Sequence, residues 1–432
     1  MLKQQTTWRR KMNKTFSQQD EANKPVNNWQ LKILMLCWEY PPNIVGGLSR
    51  HVAGLSSELA SLGHEVHVLT AGTDQLPEFE NMSGVHVHRV QPINNRDEHF
   101  FSWIGGLNLA MAFKAERLSE EITFDLLHAH DWLVGASAIV LKDTLGVPLL
   151  TTIHATEHGR NNGIYNEMQQ FIHEKEQQLI SESDQIIVCS EYMKDELVSI
   201  FKETDVSIAV IPNGIELVAP KQAFNEIFPE LKNEKYIFSL GRIVKEKGFE
   251  TIIEAASIAK NEGLDYRFII AGKGPMLETY RQHISAQQLE SHVQFIGFIT
   301  DEQRNVLIQE SELAVIPSLY EPFGIVALET MTFGKPTIVS NTGGMKGIVK
   351  HLQTGLLMVP GDARSLLEQI NFLHNNPKKA QEIGEKGRQI VKSLYGWKRI
   401  ASETSRVMED LLLSERINKS EEEGQGRQII RK

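Results

Sequence analysis

Ser318-Leu319-Tyr320-Glu321-Pro322-Phe323-Gly324-Ile325-Val326-Ala327-Leu328-Glu329 follows an apolar, strand-like run from Leu313 to Pro317 and opens what reads as a helix. Glu321 falls on the turn, and Glu329 lies eight residues on, about two helical turns deeper. Gly324 between them leaves backbone N–H groups open at the helix start, where anions bind. One carboxylate for sugar hydroxyls, a donor-lined helix end for phosphate and a second carboxylate for a ribose make a nucleotide-sugar site. Two glutamates at this spacing occur by chance, so the weight rests on the whole strand–turn–helix string.

Outward from this stretch, apolar runs alternate with amphipathic segments. In the first half the expected strands are Leu31–Trp38, Glu65–Ala71, Val85–Val90, Leu126–His130, Val147–Ala155, Gln185–Ser190 and Ile208–Pro212. In the second they are Tyr236–Leu240, Tyr266–Ala271, Val293–Phe298, Leu313–Pro317, Pro336–Ser340 and Gly355–Val359. Strands this apolar, separated by helix-length segments, predict parallel sheets covered on both faces. After the first strand, Val52, Leu55, Leu59 and Leu62 share one helical face, and Gly63 stands where a C-terminal cap belongs. The fold class is therefore α/β, with two Rossmann-like, doubly wound domains facing a cleft. Residues 29–215 form the first domain, 216–234 (with Pro220 and Pro229) a linker, and 235–396 the second domain. A helix over 397–414 packs back on the first domain, and residues 1–28 and 415–432 are read as mobile tails. Ligand is expected where strand carboxyl ends face the cleft.

The 432 residues suffice for such domains, and 41% hydrophobic with 23% charged residues is ordinary globular composition. A net charge of −10 and a pI near 5.9 exclude a broad nucleic-acid footprint. Cys37 and Cys189 lie in apolar runs and read as buried thiols in a reducing, cytoplasmic compartment. No apolar run approaches the ~20 residues that span a bilayer. The polar N-terminus carries Trp8-Arg9-Arg10-Lys11 but no apolar signal core, and a peripheral membrane contact is its alternative reading.

Tyr236 to Arg242 reads as a strand ending in a small turn and a cation, with Lys245 and Lys247 close behind. Cations at a strand's carboxyl end hold a diphosphate and stabilise it as it leaves. Arg242 and Lys247 are assigned that role and Lys245 to the surface. Gly46 and Gly47, at the first strand–helix junction, let backbone approach a ligand. Histidines gather at two strand ends: His128 and His130 with Asp131, then His154 and His158 with Glu157. These could suggest a metal centre, but no ligand spacing of a known kind appears, so no metal is expected. His154 is read as reaching the cleft to bond a sugar hydroxyl, and His128 and His130 as structural. Neither Gly272-Lys273-Gly274 nor Gly334-Lys335-Pro336-Thr337 completes a phosphate-binding loop, and no nucleophile elbow is present.

Together these residues resemble glycosyltransferase family 4, retaining enzymes with the GT-B fold, from about Leu31 to Ser414. The markers are Gly46-Gly47-Leu48, Leu62-Gly63-His64-Glu65-Val66, His128-Ala129-His130-Asp131, Ile211-Pro212-Asn213-Gly214, Gly241-Arg242 with Lys247-Gly248, and Glu321 through Glu329. The resemblance implies that His154 and Glu321 lie at the reacting sugar. It implies that Gly46, Gly47, Arg242, Lys247, Phe323, Gly324, Ile325 and Glu329 bind the donor. It also implies no cofactor and front-face attack by the acceptor, within a short-lived ion pair, without a covalent nucleophile. Thr152 through Arg160 resembles the acceptor-side segment of some glycogen synthases, which implies glucose transfer to an α-glucan. Val45 stands where bacterial glycogen synthases usually carry a lysine. Transfer to a lipid, cell-envelope or small-molecule acceptor is the alternative, followed by a nucleotide-sugar 2-epimerase and a non-catalytic sensor.

Overall fold

The computed structural model describes residues 29–96, 99–202, 206–216, 218–232 and 234–429, so the N-terminal segment read as a tail lies outside the described residues. The first domain contains β1 (Lys32–Leu36), β2 (Glu65–Ala71), β3 (Phe79–Met82), β4 (Val85–Val90), β5 (Leu126–His130), β6 (Leu149–Ile153), β7 (Gln185–Val188) and β8 (Ser207–Val210). The second contains β9 (Ile237–Leu240), β10 (Phe268–Ala271), β11 (Val293–Gly297), β12 (Leu313–Ile316), β13 (Thr337–Ser340) and β14 (Leu356–Met358). The sheet orders are β3-β4-β2-β1-β5-β6-β7-β8 and β11-β10-β9-β12-β13-β14. Central strands such as β5, β12 and β13 are buried along their whole length, because helices cover both faces.

Two details correct the sequence reading. The first sheet is not wholly parallel: β3 pairs antiparallel with β4 at its edge. Phe79-Glu80-Asn81-Met82 alternates between exposed and half-buried, so it carries no apolar run to announce a strand. The C-terminal helix does not stop near Ser414 but runs from Trp397 to Ile429, through most of the charged segment. Glu421, Glu422, Glu423 and Gln425 are good helix formers, and no proline interrupts them.

This helix packs on the first domain. Ile400, Ala401, Met408, Leu411 and Leu412 share a core with Val52, Leu55 and Leu59 of the helix Gly47–Ser61. Leu62, expected on that inner face, is 37% exposed, because the helix ends at Ser61 and Gly63 turns the chain at φ +100°. The two crossings between domains lie side by side: Ile215 N–H donates to the Tyr395 carbonyl at 2.7 Å, and Ile215 bridges Gly396. Beyond the first crossing, short turns at Phe224–Ile227 and Pro229–Leu231 bury Phe228 and Leu231 against Tyr236, Phe238 and Leu307. The segment read as a linker thus folds onto the second domain. Apolar packing continues across the domain boundary through Cys189, Phe323 and Tyr395. Cys37 and Cys189 are free and buried, and burial pushes each thiol up to about 12, which makes both inert.

Candidate active site

Each sheet reverses its winding once. In the first the reversal lies between β1 and β5, and in the second between β9 and β12. Open α/β sheets bind ligands outside the carboxyl ends of strands at this point. β1 leads into Gly46-Gly47, β5 ends at His130-Asp131, β9 leads into Arg242 and Lys247, and β12 into Ser318–Glu321. The sequence-predicted residues therefore come from the carboxyl ends of β1, β9 and β12, joined by His154 after β6, the neighbour of β5.

Two helix starts face each other across the domain boundary. Helix Gly47–Ser61 begins after Gly46 and helix Ile325–Thr332 after Gly324, and neither has a side-chain cap. A Cβ on Gly47 would lie 3.1 Å from Ile325 Cδ1, so the first domain's glycine sits directly over the second domain's helix start. Gly324 has φ +113°, which only glycine adopts without strain. Two helix dipoles thus point their positive ends at one small region, an arrangement that favours an anion. Glu39 shapes the first loop: its Oε2 accepts from Val45 N–H at 2.5 Å and Gly46 N–H at 3.0 Å. Burial raises the Glu39 carboxyl above its usual range.

Glu321 is 9% exposed. Lys247 Nζ donates to its Oε2 at 2.7 Å and Ser318 Oγ at 3.1 Å, and Oε1 carries no bond among the described residues. Leu319 and Tyr320 N–H groups donate to the Glu246 carbonyl, tying this turn to the Lys247 loop. Gly343 backs the turn at φ +52°, with its Cα against the Glu321 main chain, and Gly344 N–H donates to the Glu321 carbonyl at 2.9 Å. Arg242 is nearly half exposed and pairs with Glu246 at 3.4 Å. Burial, and then the Arg160 guanidinium across the cleft, hold it below the usual arginine range. Lys245 is exposed. Phe323, expected to bind the donor, has its side chain buried beside Tyr395 in the domain-spanning core, so only its main chain borders the cleft.

Glu329 is buried, and its Oε1 accepts from Arg304 at 2.9 Å and from Arg50 at 3.0 Å. Arg50 belongs to the first domain and also pairs with Asp301, so this tie crosses the cleft. Two further bonds cross nearby: Ser190 Oγ to the Pro322 carbonyl at 2.6 Å, and Tyr320 OH to Glu196 at 3.0 Å. The sequence reading missed Arg50 and Arg304. Their spacing along helices was legible, but the partner that draws them in lies 279 and 25 residues away.

His154 follows β6, with its backbone N–H donating to Asp131 Oδ1 at 2.7 Å and Nε2 lying 3.2 Å from His130 Nδ1. Burial, then Arg160, lower its imidazole to about 4, so it is neutral at physiological pH. His128 is buried on Thr152 Oγ1 at 2.8 Å, whereas His130 directly fixes the ring of His154. Asp131 holds φ +62°, a conformation costing about 1–3 kcal/mol for a residue with a side chain. Burial raises its carboxyl to about 6. His51, not singled out from sequence, meets His154 edge-on at 4.8 Å. Ligand atoms of His51, His130 and His154 lie within 4.8 Å of one another. The His130–His154 separation of 3.2 Å is close to the roughly 3.3 Å between two nitrogens on one zinc ion, so the three histidines are a group that could hold a metal, although no ligand spacing in the sequence announced one. A cavity of about 840 Å³ is lined by Tyr40, Gly54, Glu58, Arg388 and Trp397 and by none of the sequence-predicted site residues.

The sequence profile for "Glycosyltransferase Family 4" matches residues 45–218, and that for "Glycosyl transferases group 1" matches 220–390. An uncharacterised glycosyltransferase of Methanocaldococcus jannaschii is 36% identical, over 87% of this chain and 97% of its own. A glycogen synthase of Mycobacterium tuberculosis H37Rv is 33% identical, over 87% of this chain and 94% of its own. The structure of sucrose-phosphate synthase from Thermosynechococcus elongatus superposes with a TM-score of 0.77 at 24% identity, covering 89% of this chain and 100% of that one. With both domains matched and a third of residues shared along nearly the whole chain, the protein belongs to glycosyltransferase family 4, is a glycosyltransferase and has the GT-B fold.

Proposed function

We propose that this enzyme moves glucose, with retention, from a nucleotide-sugar donor to a hydroxyl of an α-glucan acceptor. The observation that carries the reading is the meeting of two helix starts with glycine at the cap, at Gly46-Gly47 and Gly324-Ile325, beside the Lys247–Glu321 pair. The donor diphosphate takes the N–H groups of both helix starts, with Arg242 and Lys247 meeting its charge. As the glycosidic bond breaks, negative charge grows on that diphosphate, and fixed donors and cations stabilise it more than they stabilise the ground state. Glu321 faces the sugar, where its charge opposes the positive charge growing at the anomeric carbon. Glu329 exchanges part of its arginine contacts for ribose hydroxyls. Neutral His154, oriented by His130, accepts or donates a hydrogen bond at a sugar hydroxyl. The acceptor hydroxyl attacks from the face the diphosphate leaves, and its proton passes to a leaving phosphate oxygen.

The kinship with glycogen synthase supports an α-glucan acceptor. Val45, 60% exposed where bacterial glycogen synthases usually carry lysine, favours a second reading with a different donor or a small-molecule acceptor. Two inert thiols and the absence, among the described residues, of a helix long and apolar enough to cross a membrane fit action in the cytoplasm.

The test is nucleotide release from ADP-, UDP- and GDP-glucose, with and without glycogen, lipid-linked and small-molecule acceptors, in excess chelator. Acceptor-dependent release from one donor is expected, with an α-anomeric product by NMR. Release without acceptor and with inversion at C2 marks an epimerase, and binding without turnover marks a sensor. Loss in chelator that one divalent metal restores refutes the metal-free mechanism.

A further inference from the structure

Downstream of His154 the chain carries an exposed aromatic surface that the donor cleft does not use. It leaves β6 as the short helix Glu157–Asn161, capped by Thr156, and turns at Asn162 and Gly163 into the helix Glu167–Glu182. Tyr165 is 71% exposed yet fixed, because its OH donates to the Asn162 carbonyl at 2.6 Å and its N–H to Gln169 Oε1 at 2.7 Å. Tyr165, Met168 and Phe171 recur every three residues, and all three are exposed. The Phe171 ring lies 4.9 Å edge-to-face from Phe101, and Phe101 lies 5.7 Å from Phe100 at the start of the helix Phe100–Ser119. Isolated exposed apolar residues are ordinary, but exposed apolar residues recurring on one helix face, with one ring fixed by hydrogen bonds and another packed on a neighbouring aromatic pair, mark a binding surface.

The other end of this segment lies in the cleft. Gly159 packs directly against Tyr320 and Glu196, and the charge of Arg160 acts on His154 and Asp131. Surface and reacting centre are therefore two ends of one stretch of chain. Its chemistry suits a neutral, polyhydroxylated chain. Aromatic faces cover the C–H faces of sugar rings, while the exposed Asn162 amide and the Gln169 Nε2, whose Oε1 alone is taken by Tyr165, offer bonds to hydroxyls. Glu167 and Glu174 border it, and Lys175 is engaged over the Phe171 ring at 5.5 Å, in a chain of net charge −10. That balance repels an anionic membrane surface.

We infer that Tyr165, Met168, Phe171 and Phe100 form a platform that holds a neutral polysaccharide several sugar units away from its reacting end. The inference rests on the proposed acceptor class and narrows it: the acceptor is a long chain, gripped outside the cleft. The test compares the full-length enzyme with Tyr165→Ser/Phe171→Ser, and with Tyr165→Trp/Phe171→Tyr, which keeps the aromatic faces. Retardation in native gels containing glycogen, dextran or mixed-linkage β-glucan reads binding without any need for turnover. The wild type and the aromatic control should be retarded by at least one polymer, and the serine variant should lose about 10-fold in affinity. In kinetics, KM for the polymer should rise about 10-fold, while kcat, donor KM and transfer to a short oligosaccharide stay unchanged. Retardation of the wild type by none of the polymers overturns the platform, even where nucleotide release shows the transferase reading to be correct. So does equal retardation of the serine variant with folding intact. Binding to phosphatidylcholine or phosphatidylglycerol vesicles that the serine pair abolishes assigns the surface to a membrane instead, and a dimer that it dissociates assigns it to a second copy.

Discussion

Glu321→Gln keeps the shape of the side chain and removes the charge that Lys247 and Ser318 address at 2.7 and 3.1 Å. A hydrogen bond to a charged group contributes about 1.5–3 kcal/mol to stability. The Lys247 and Glu321 side chains are 21% and 12% exposed, so solvent screening puts this pair at the low end. We expect a loss of about 1.5 kcal/mol, which lowers Tm by about 3–6 °C if the second domain, within the roughly 150–250-residue range, unfolds as one unit. Turnover should suffer more. Removing one fixed electrostatic contact at a reacting centre costs about 10²-fold, equivalent to about 2.7 kcal/mol of barrier. The expected signature is a mild change in urea unfolding beside a large fall in kcat for nucleotide release. Lys247→Met supplies the second arm of a double-mutant cycle, in which the pair should couple by about 1.5 kcal/mol in stability. A folded Glu321→Gln enzyme with near wild-type turnover would remove Glu321 from the reacting site. Coupling below about 0.5 kcal/mol would show that Lys247 and Glu321 do not act as a unit.

Arg50→Ala removes a cross-cleft tie to Glu329 while Arg304 remains in place. Small-angle scattering should show the free enzyme expanding and the donor-bound enzyme unchanged; an unchanged free enzyme rules out a part for Arg50 in closure. Arg242→Ala should weaken nucleotide diphosphate binding, measured by calorimetry, whereas the exposed Lys245→Ala should not. Equal losses at the two positions would erase the distinction between site and surface. Glu176 is buried, one of its oxygens has no hydrogen-bond partner among the described residues, and burial raises its carboxyl from the usual 4.5 to about 8. A raised folded-state value means that its contribution to stability is present below pH 4.5 and is lost as pH climbs toward 8. Glu176→Gln should therefore gain on the wild type across that window, by up to about 5 kcal/mol at 1.36 kcal/mol per pH unit. A pH-independent difference in urea unfolding would contradict the assignment.

The sequence by itself determined the alternation of apolar strands and amphipathic helices, and with it the two doubly wound domains. That is because the apolar periodicity of parallel strands and covering helices is local and survives without tertiary context. It also determined the stretch from Ser318 to Glu329 and the cations near Arg242, since turn chemistry and charge at strand ends can be read along the chain. The half-exposed strand Phe79–Met82 was illegible, because an edge strand needs only one neighbour and no continuous apolar run. The helical course beyond Ser414 was hidden by its charge. What only the tertiary structure decided is which groups meet. Gly47 meets Ile325, Arg50 meets Glu329, His130 orients His154, and Phe323 turns into the core. Each of these depends on where two strands, far apart in the chain, end side by side at the reversal of a sheet. No local pattern encodes that distance, because the partner that gives a residue its role is supplied by the other domain or by another strand.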